Sequence, residues 1–245
     1  MANGTQNVST GPNKVYLEQI GDSNTIVVEQ VGGTNNVGGV AGNTTVGLTG
    51  VTTHVPDAPS TSNYATITGS SNQVAITQTG DNNSAQYNIR GSFNNYTSAV
   101  SGSGNQTKLT VGTANTASNY NTVTETINGN DNLIIQNVTG GNVVSNVSIG
   151  GSTNQVTTNL QSTKGNALIT INGSNNIINA QQTDSAGANG HVLVSAVSGD
   201  YNSITTQQQG TNDTTINLNT VGSHNTITVR TSSATIVNPV TAIAR

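Results

Sequence analysis

Along most of the chain, apolar residues recur at every second position, and the residues between them are Thr, Ser, Asn or Gln. Val74 and Ile76 show the pattern, as do Ala85, Tyr87 and Ile89, Leu109 and Val111, Ile134 and Val138, Val156 and Leu160, and Ile227 and Val229. A period of two marks a strand with one buried face. Each stretch is short and follows a Gly-x-x-Asn segment. Glycine supplies positive φ, and the Ser, Asp or Asn after it bonds readily to nearby backbone, which is turn chemistry. The pattern predicts a turn and one short strand, repeated many times.

The signature runs through Gly21–Asn24, Gly32–Asn35, Gly69–Asn72, Gly80–Asn83, Gly91–Asn94 and Gly102–Asn105. After a break it returns at Gly129–Asn132, Gly151–Asn154, Gly173–Asn176, Gly199–Asn202 and Gly222–Asn225. Degenerate copies sit at Ser118–Asn121, Gly140-Gly141-Asn142, Thr163–Asn166 and Gly210-Thr211-Asn212. The commonest interval is 11 residues, as from Gly69 to Gly80 to Gly91 to Gly102. Two units make one rung of about 22 residues. Such a rung turns about six side chains inward, each contributing at most ~1.5–3 kcal/mol. Ordering its residues costs ~1.5 kcal/mol apiece, so a single rung does not stand alone and several must stack. The expected fold is all-β, a β-solenoid of parallel stacked strands with roughly seven rungs, hence ~35 Å long at the spacing of neighbouring strands. Stacking also aligns equivalent Asn and Gln side chains into ladders about 4.8 Å apart.

Residues 1–14 are polar and fit no unit, and residues 15–37 form a first rung beginning at Val15, Leu17 and Gln19. Residues 38–63 interrupt the pattern and read as an insertion or hinge loop. The main solenoid is expected over 64–231, with smaller insertions near 112–117 and 183–190. Residues 232–245, with Ile236, Val240 and Ile243 around Pro239, read as a C-terminal cap or docking tail.

At Gln19-x-Gly21-x-x-Asn24-x-Ile26-x3-Gln30, and again at Gln78-x-Gly80-x-x-Asn83-x-Ala85, the chain resembles the curlin repeat. Curlins are subunits of curli, extracellular amyloid fibres made of stacked β-solenoids. The resemblance covers most of residues 15–37 and 64–231. It implies a stacked-strand fold and self-association, with Gln19, Gln30 and Gln78 as ladder positions. Gln208 also precedes a glycine, but equivalent positions hold Ile89, Val100, Ile127 and Ile171, aliphatic where a curlin has glutamine.

Composition narrows the function. Hydrophobic residues make up 31% of the 245 positions and charged residues 7%, against ~45–50% and ~25% in ordinary soluble domains. The net charge is −4 without any basic cluster, so nucleic-acid binding is not expected. Cysteine is absent, which removes disulfides and thiolate metal sites. No apolar run reaches the ~20 residues that span a membrane, and the first residues, MANGTQNVST, lack the features of a secretion leader.

Candidate chemistry is sparse. Asp22, Asp81, Asp131 and Asp200 follow turn glycines and read as turn residues; a calcium-binding coil would repeat Asp far more densely. His54, His191 and His224 lack metal-ligand spacing and read as surface loop residues. Glu125 lies between the inward positions Val123 and Ile127, as a buried acid or a ladder position at a wide corner, without a partner for a catalytic pair. Thr-x-Thr pairs at Thr66/Thr68, Thr122/Thr124 and Thr226/Thr228 do not recur on every rung, so an ice-matching face is not expected. The aromatic residues, including Tyr64, Tyr87, Phe93, Tyr96, Tyr120 and Tyr201, read as core or turn packing, the alternative being sugar stacking. No catalytic, cofactor or metal site is expected. The expected function is a non-enzymatic structural protein, a phage virion fibre or decoration element on the virion surface. A curli-type extracellular fibre subunit is the alternative, and a host- or glycan-binding adhesin using residues 38–63 a second. The expected partners are further copies or other virion or fibre proteins.

Overall fold

In the computed structural model, residues 3–8, 13–38, 65–161, 163–183, 190–232 and 238–243 are described. They contain β-strands and turns and no helix, so none is long and apolar enough to cross a membrane. The first strands are β1 (Asn3–Val8), β2 (Lys14–Val15), β3 (Leu17–Ile20), β4 (Thr25–Val31), β5 (Asn36–Val37) and β6 (Ala65–Thr68). Next come β7 (Gln73–Thr79), β8 (Ser84–Arg90), β9 (Asn95–Ser101), β10 (Gln106–Val111) and β11 (Thr122–Asn128). They are followed by β12 (Leu133–Val138), β13 (Val144–Gly150), β14 (Gln155–Gln161), β15 (Asn166–Asn172) and β16 (Ile177–Thr183). The last are β17 (Val192–Ser198), β18 (Ser203–Gln209), β19 (Thr215–Val221), β20 (Thr226–Ser232) and β21 (Asn238–Ile243).

These strands build two parallel sheets. Sheet A has ten strands in the order β1-β4-β7-β9-β11-β13-β15-β17-β19-β21, and the remaining eleven form sheet B. The chain alternates between the sheets, so each strand pairs with the one two units away, typically 22 residues on, as Leu133 with Gln155. The result is a β-solenoid of about eight turns, one more than the motif count predicts. The difference has a physical origin. The turn before β17 carries no copy of Gly-x-x-Asn, and β1 and β21 extend sheet A into segments that carry no motif at all. Residues 3–8, expected to fit no unit, pair with β4. Within the expected tail, Asn238–Ile243 pairs with β19.

Each full strand turns three side chains inward, as Ala167, Ile169 and Ile171 do in β15. The inward faces of the two sheets meet in one continuous core. Tyr87 and Tyr96 are its largest members, packed edge to face at 6.0 Å between ring centroids.

The large insertion leaves from the middle of a strand. Val37 lies opposite Ala85 and Thr66 opposite Asn88, so Gly38 and Ala65 take the two consecutive positions between them. The Gly38 amide donates to the Ala85 carbonyl, and the Ala65 amide to the Tyr16 carbonyl. The ladder thus crosses the insertion without a break. Since β4 pairs with β7 over seven residues, the segments on either side belong to one sheet system, not to two units on a hinge. Residues 39–64 themselves, including His54 and Tyr64, lie outside the described residues.

Candidate functional site

Two corners connect the sheets, and both are built from Gly-x-x-Asn. The third residue adopts left-handed φ, from 55° at Asp131 to 62° at His224 where it is not glycine. At the corner leading into sheet B, Asn13, Asn35, Asn83, Asn105, Asn132, Asn154, Asn176, Asn202 and Asn225 stand one above another. Asn154 shows how each is satisfied. Its backbone N–H and its Nδ2 donate to the Asn132 Oδ1 at 3.0 and 3.1 Å. The same Nδ2 donates to the Gly173 carbonyl at 2.8 Å, while its Oδ1 accepts from Asn176. No valence of the buried amide is wasted, so the ladder makes a polar interior compatible with folding.

A second, outer ladder runs along the same corner. The backbone N–H of each residue after the glycine donates to the side-chain oxygen of its counterpart one rung on. The series passes from Gly33 to Asp81, Ser103, Asn130, Ser152, Ser174, Asp200 and Ser223. Turn preference for Ser, Asp and Asn is here an inter-rung requirement for an acceptor. Asp81 and Asp200 are used in this way, and Asp22 and Asp131 lie in the same kind of corner. Among the described residues no group of three or more His, Cys, Asp and Glu side chains could hold a metal.

The corner leading into sheet A begins alike with Asn24, Asn72, Asn94 and Asn121. Val143 then takes the asparagine place, its N–H donating to the Asn121 Oδ1, and Gly165, His191 and Thr214 follow at that level of the corner. His191, expected on a surface loop, is buried. Its Nδ1 lies 2.8 Å from the Thr214 Oγ1 and its Nε2 3.0 Å from the Thr183 carbonyl. Both ring nitrogens are thus met inside the corner, at the level that asparagine occupies in earlier rungs. His224 is exposed in its turn, as expected.

Among the described residues, glutamine ladders occur only near the two ends. Gln30 donates to Gln78, and Gln182 to Gln208, both at 2.9 Å. Between them the same columns hold Val100, Ile127, Ile149 and Ile171 in sheet A, and Ile89, Val111, Val138 and Leu160 in sheet B. Gln19 stands outside these ladders: its neighbour in register is Ile67, and its Nε2 turns to the Gly21 carbonyl at 3.3 Å. Sequence reasoning missed Gln182 because the insertion after it removes the glycine that would have marked it.

Glu125 is fully buried at the middle position of β11. Tyr96 donates to its Oε2 at 2.7 Å and Gln136 to its Oε1 at 2.9 Å. Gln136 accepts in turn from Ser145 and Thr158. Burial pushes the Glu125 carboxyl up to about 7, against which the Tyr96 and Gln136 donors pull. The Tyr96 phenol is held well above its ordinary range, by burial first and by the adjacent carboxylate second. The cluster has no opening to solvent for a substrate; chemically it is one proton in a closed polar network.

Outside, Phe93 and Tyr120 take left-handed corner positions on successive rungs and stack at 5.0 Å, within 2° of parallel. Tyr201 and His224 do the same at the other corner, 5.1 Å apart. The Thr-x-Thr pairs divide between faces: Thr122 and Thr124 point out from sheet A, Thr66/Thr68 and Thr226/Thr228 out from sheet B.

No protein-family model, curated protein or solved structure matches the chain.

Proposed function

We propose that the chain is a non-enzymatic structural subunit, a curlin-like β-solenoid that adds end to end to a larger β-structure. One observation carries this reading: among the described residues, both sheets finish in unpaired parallel edges. Sheet A runs out at β1 and β21, and sheet B at β2/β3 and β20. Such edges are templates for another chain. The long asparagine ladder leads straight to one of them. Asn225 donates its backbone N–H and its Nδ2 to the Asn202 Oδ1 below, and its own Oδ1 stands where the next asparagine would donate. Asparagine and glutamine ladders stabilise stacked cross-β in this way.

The fibre is the setting these edges favour, as in curli. A virion fibre or decoration element, docked through one end on a particle, is the second reading, favoured by the extension of sheet A to β21 beyond the last glycine-asparagine corner. Electron microscopy of the purified chain across a concentration series is the test. In this register, odd positions of a strand donate to the following rung, as Ser203 does to Asn225. Thr228 is such a position, so Thr228→Pro removes an edge donor of β20 and leaves its bonds to β18. Unbranched fibres from the parent chain and short rods from Thr228→Pro support end addition. Short rods from both at every concentration overturn it, and then a deletion of residues 233–245 that abolishes incorporation into a particle supports the second reading.

A further inference from the structure

We infer that the outer face of sheet A is a docking surface for a second copy of the chain, pairing two solenoids side by side. From β7 to β19, no outward side chain of this sheet is ionisable. The other face differs: sheet B carries Lys14, Arg90, Lys108 and Arg230 outward against a single acid, Glu18. It also gives rise to the insertion at Gly38 and Ala65. Like charges would oppose pairing through sheet B. Charge depletion at the centre of a patch is a mark of interfaces between proteins.

The relief of sheet A fits its own image. One column, in continuous register from β7 to β17, reads Thr77, Ala99, Thr126, Ser148, Thr170 and Ala196, with no side chain longer than threonine until Asn219 closes it in β19. It forms a shallow lane along the solenoid axis. The column two residues earlier contains Leu168, 40% exposed, and Val194 beside it in register. A two-fold axis parallel to the solenoid, over the central inward column, exchanges these two columns. Leu168 of each copy then lies over the lane of its partner, near Thr170, as an isologous interface requires. The area is sufficient. Seven strands ~4.8 Å apart and seven residues of ~3.3 Å each span ~800 Å², which is about what each partner buries in a stable complex.

Pairing through the face does not depend on addition at the ends, and the two separate experimentally. In the Thr228→Pro background, where only the end edge is altered, light scattering should give twice the 24.8 kDa chain mass. Leu168→Glu in that background should return the mass to that of one chain, with an unchanged strand signal and melting transition. Ser203→Glu, on the opposite sheet, should keep the pair; Thr170→Lys is the second face variant should Leu168→Glu fail to fold. A single-chain mass for Thr228→Pro up to millimolar concentration overturns the inference, as does a pair that survives both face variants. Should Thr228→Pro still polymerise, end addition as drawn is wrong, and filament width then reads pairing: halving by Leu168→Glu upholds it, and constant width overturns it.

Discussion

Tyr96 donates its phenolic hydrogen to the Glu125 Oε2 across 2.7 Å in the middle of the solenoid, and neither residue is exposed to solvent. The pair joins successive strands of one sheet, since Tyr96 and Val123 share a register position and Glu125 follows two residues on. A carboxyl in this place is easier to keep neutral than charged, because burial outweighs the two donors beside it.

Stability should therefore fall with rising pH. The folded state holds the Glu125 proton up to about 7, whereas the reference value is 4.5. The native state binds more protons throughout that window, so the contribution is fully present below 4.5 and lost as pH rises through about 7. The shift corresponds to ~3 kcal/mol. Glu125→Gln should abolish most of this slope and stabilise the chain at pH 8, since Tyr96 can donate instead to Thr107 Oγ1, 3.4 Å away. Denaturant midpoints at pH 4.5 and 8 check it; equal slopes for parent and variant would show that another group sets the dependence.

Tyr96→Phe acts on the same proton from the other side. It removes a donor that holds the Glu125 carboxyl down, so the pH at which stability is lost should move upward. The variant should also be less stable at pH 8 by ~1–3 kcal/mol, the range for a hydrogen bond to a charged group. An unmoved midpoint in a pH titration of stability would contradict this coupling.

The asparagine corners differ in how much they carry. Asn154→Ala removes the acceptor of two Asn176 donors and the donor to Gly173. Leaving buried amide groups unpaired should cost ~2–4 kcal/mol. Asn121→Ala removes the acceptor of only one N–H, that of Val143, because no asparagine follows it. Its cost should be smaller, and side-by-side denaturation measures the difference.

The architecture was legible where side-chain alternation and corner glycines coincide, as from Gly69 to Val111. It faded where one of the two signals failed. Ser118 keeps its corner without glycine, and Thr163-Lys164-Gly165 keeps one without asparagine, since a corner needs the backbone path and an acceptor more than a particular residue. The inward place of Glu125 follows from its period, but its donor from the other sheet does not: Gln136, which itself accepts from Thr158, lies opposite, and only the stacking register sets it against the carboxylate. His191 looks like a loop residue in the sequence because the insertion before it hides the corner it completes. The Phe93–Tyr120 stack joins residues 27 apart only because five extra residues delay the second corner, at 112–117.

Glycine tolerance should sort by conformation. Gly102 has φ of +122°, and a Cβ there would lie 1.9 Å from the Gly129 carbonyl oxygen of the next rung. That oxygen also accepts from the Asn105 Nδ2 at 2.8 Å, so it cannot retreat without loosening the ladder. Strain and a broken bond together should make Gly102→Ala cost more than ~3 kcal/mol. Gly33 sits in an equivalent corner, one residue after its glycine, where φ is not in the left-handed region and the nearest neighbour of a Cβ is the Asp81 Oδ1 at 3.4 Å. Gly33→Ala should change stability by no more than ~0.5 kcal/mol. Thermal melts of the two variants decide it: a large loss at Gly33 or a small one at Gly102 would mean that the contact between successive rungs is not what reserves these corners for glycine.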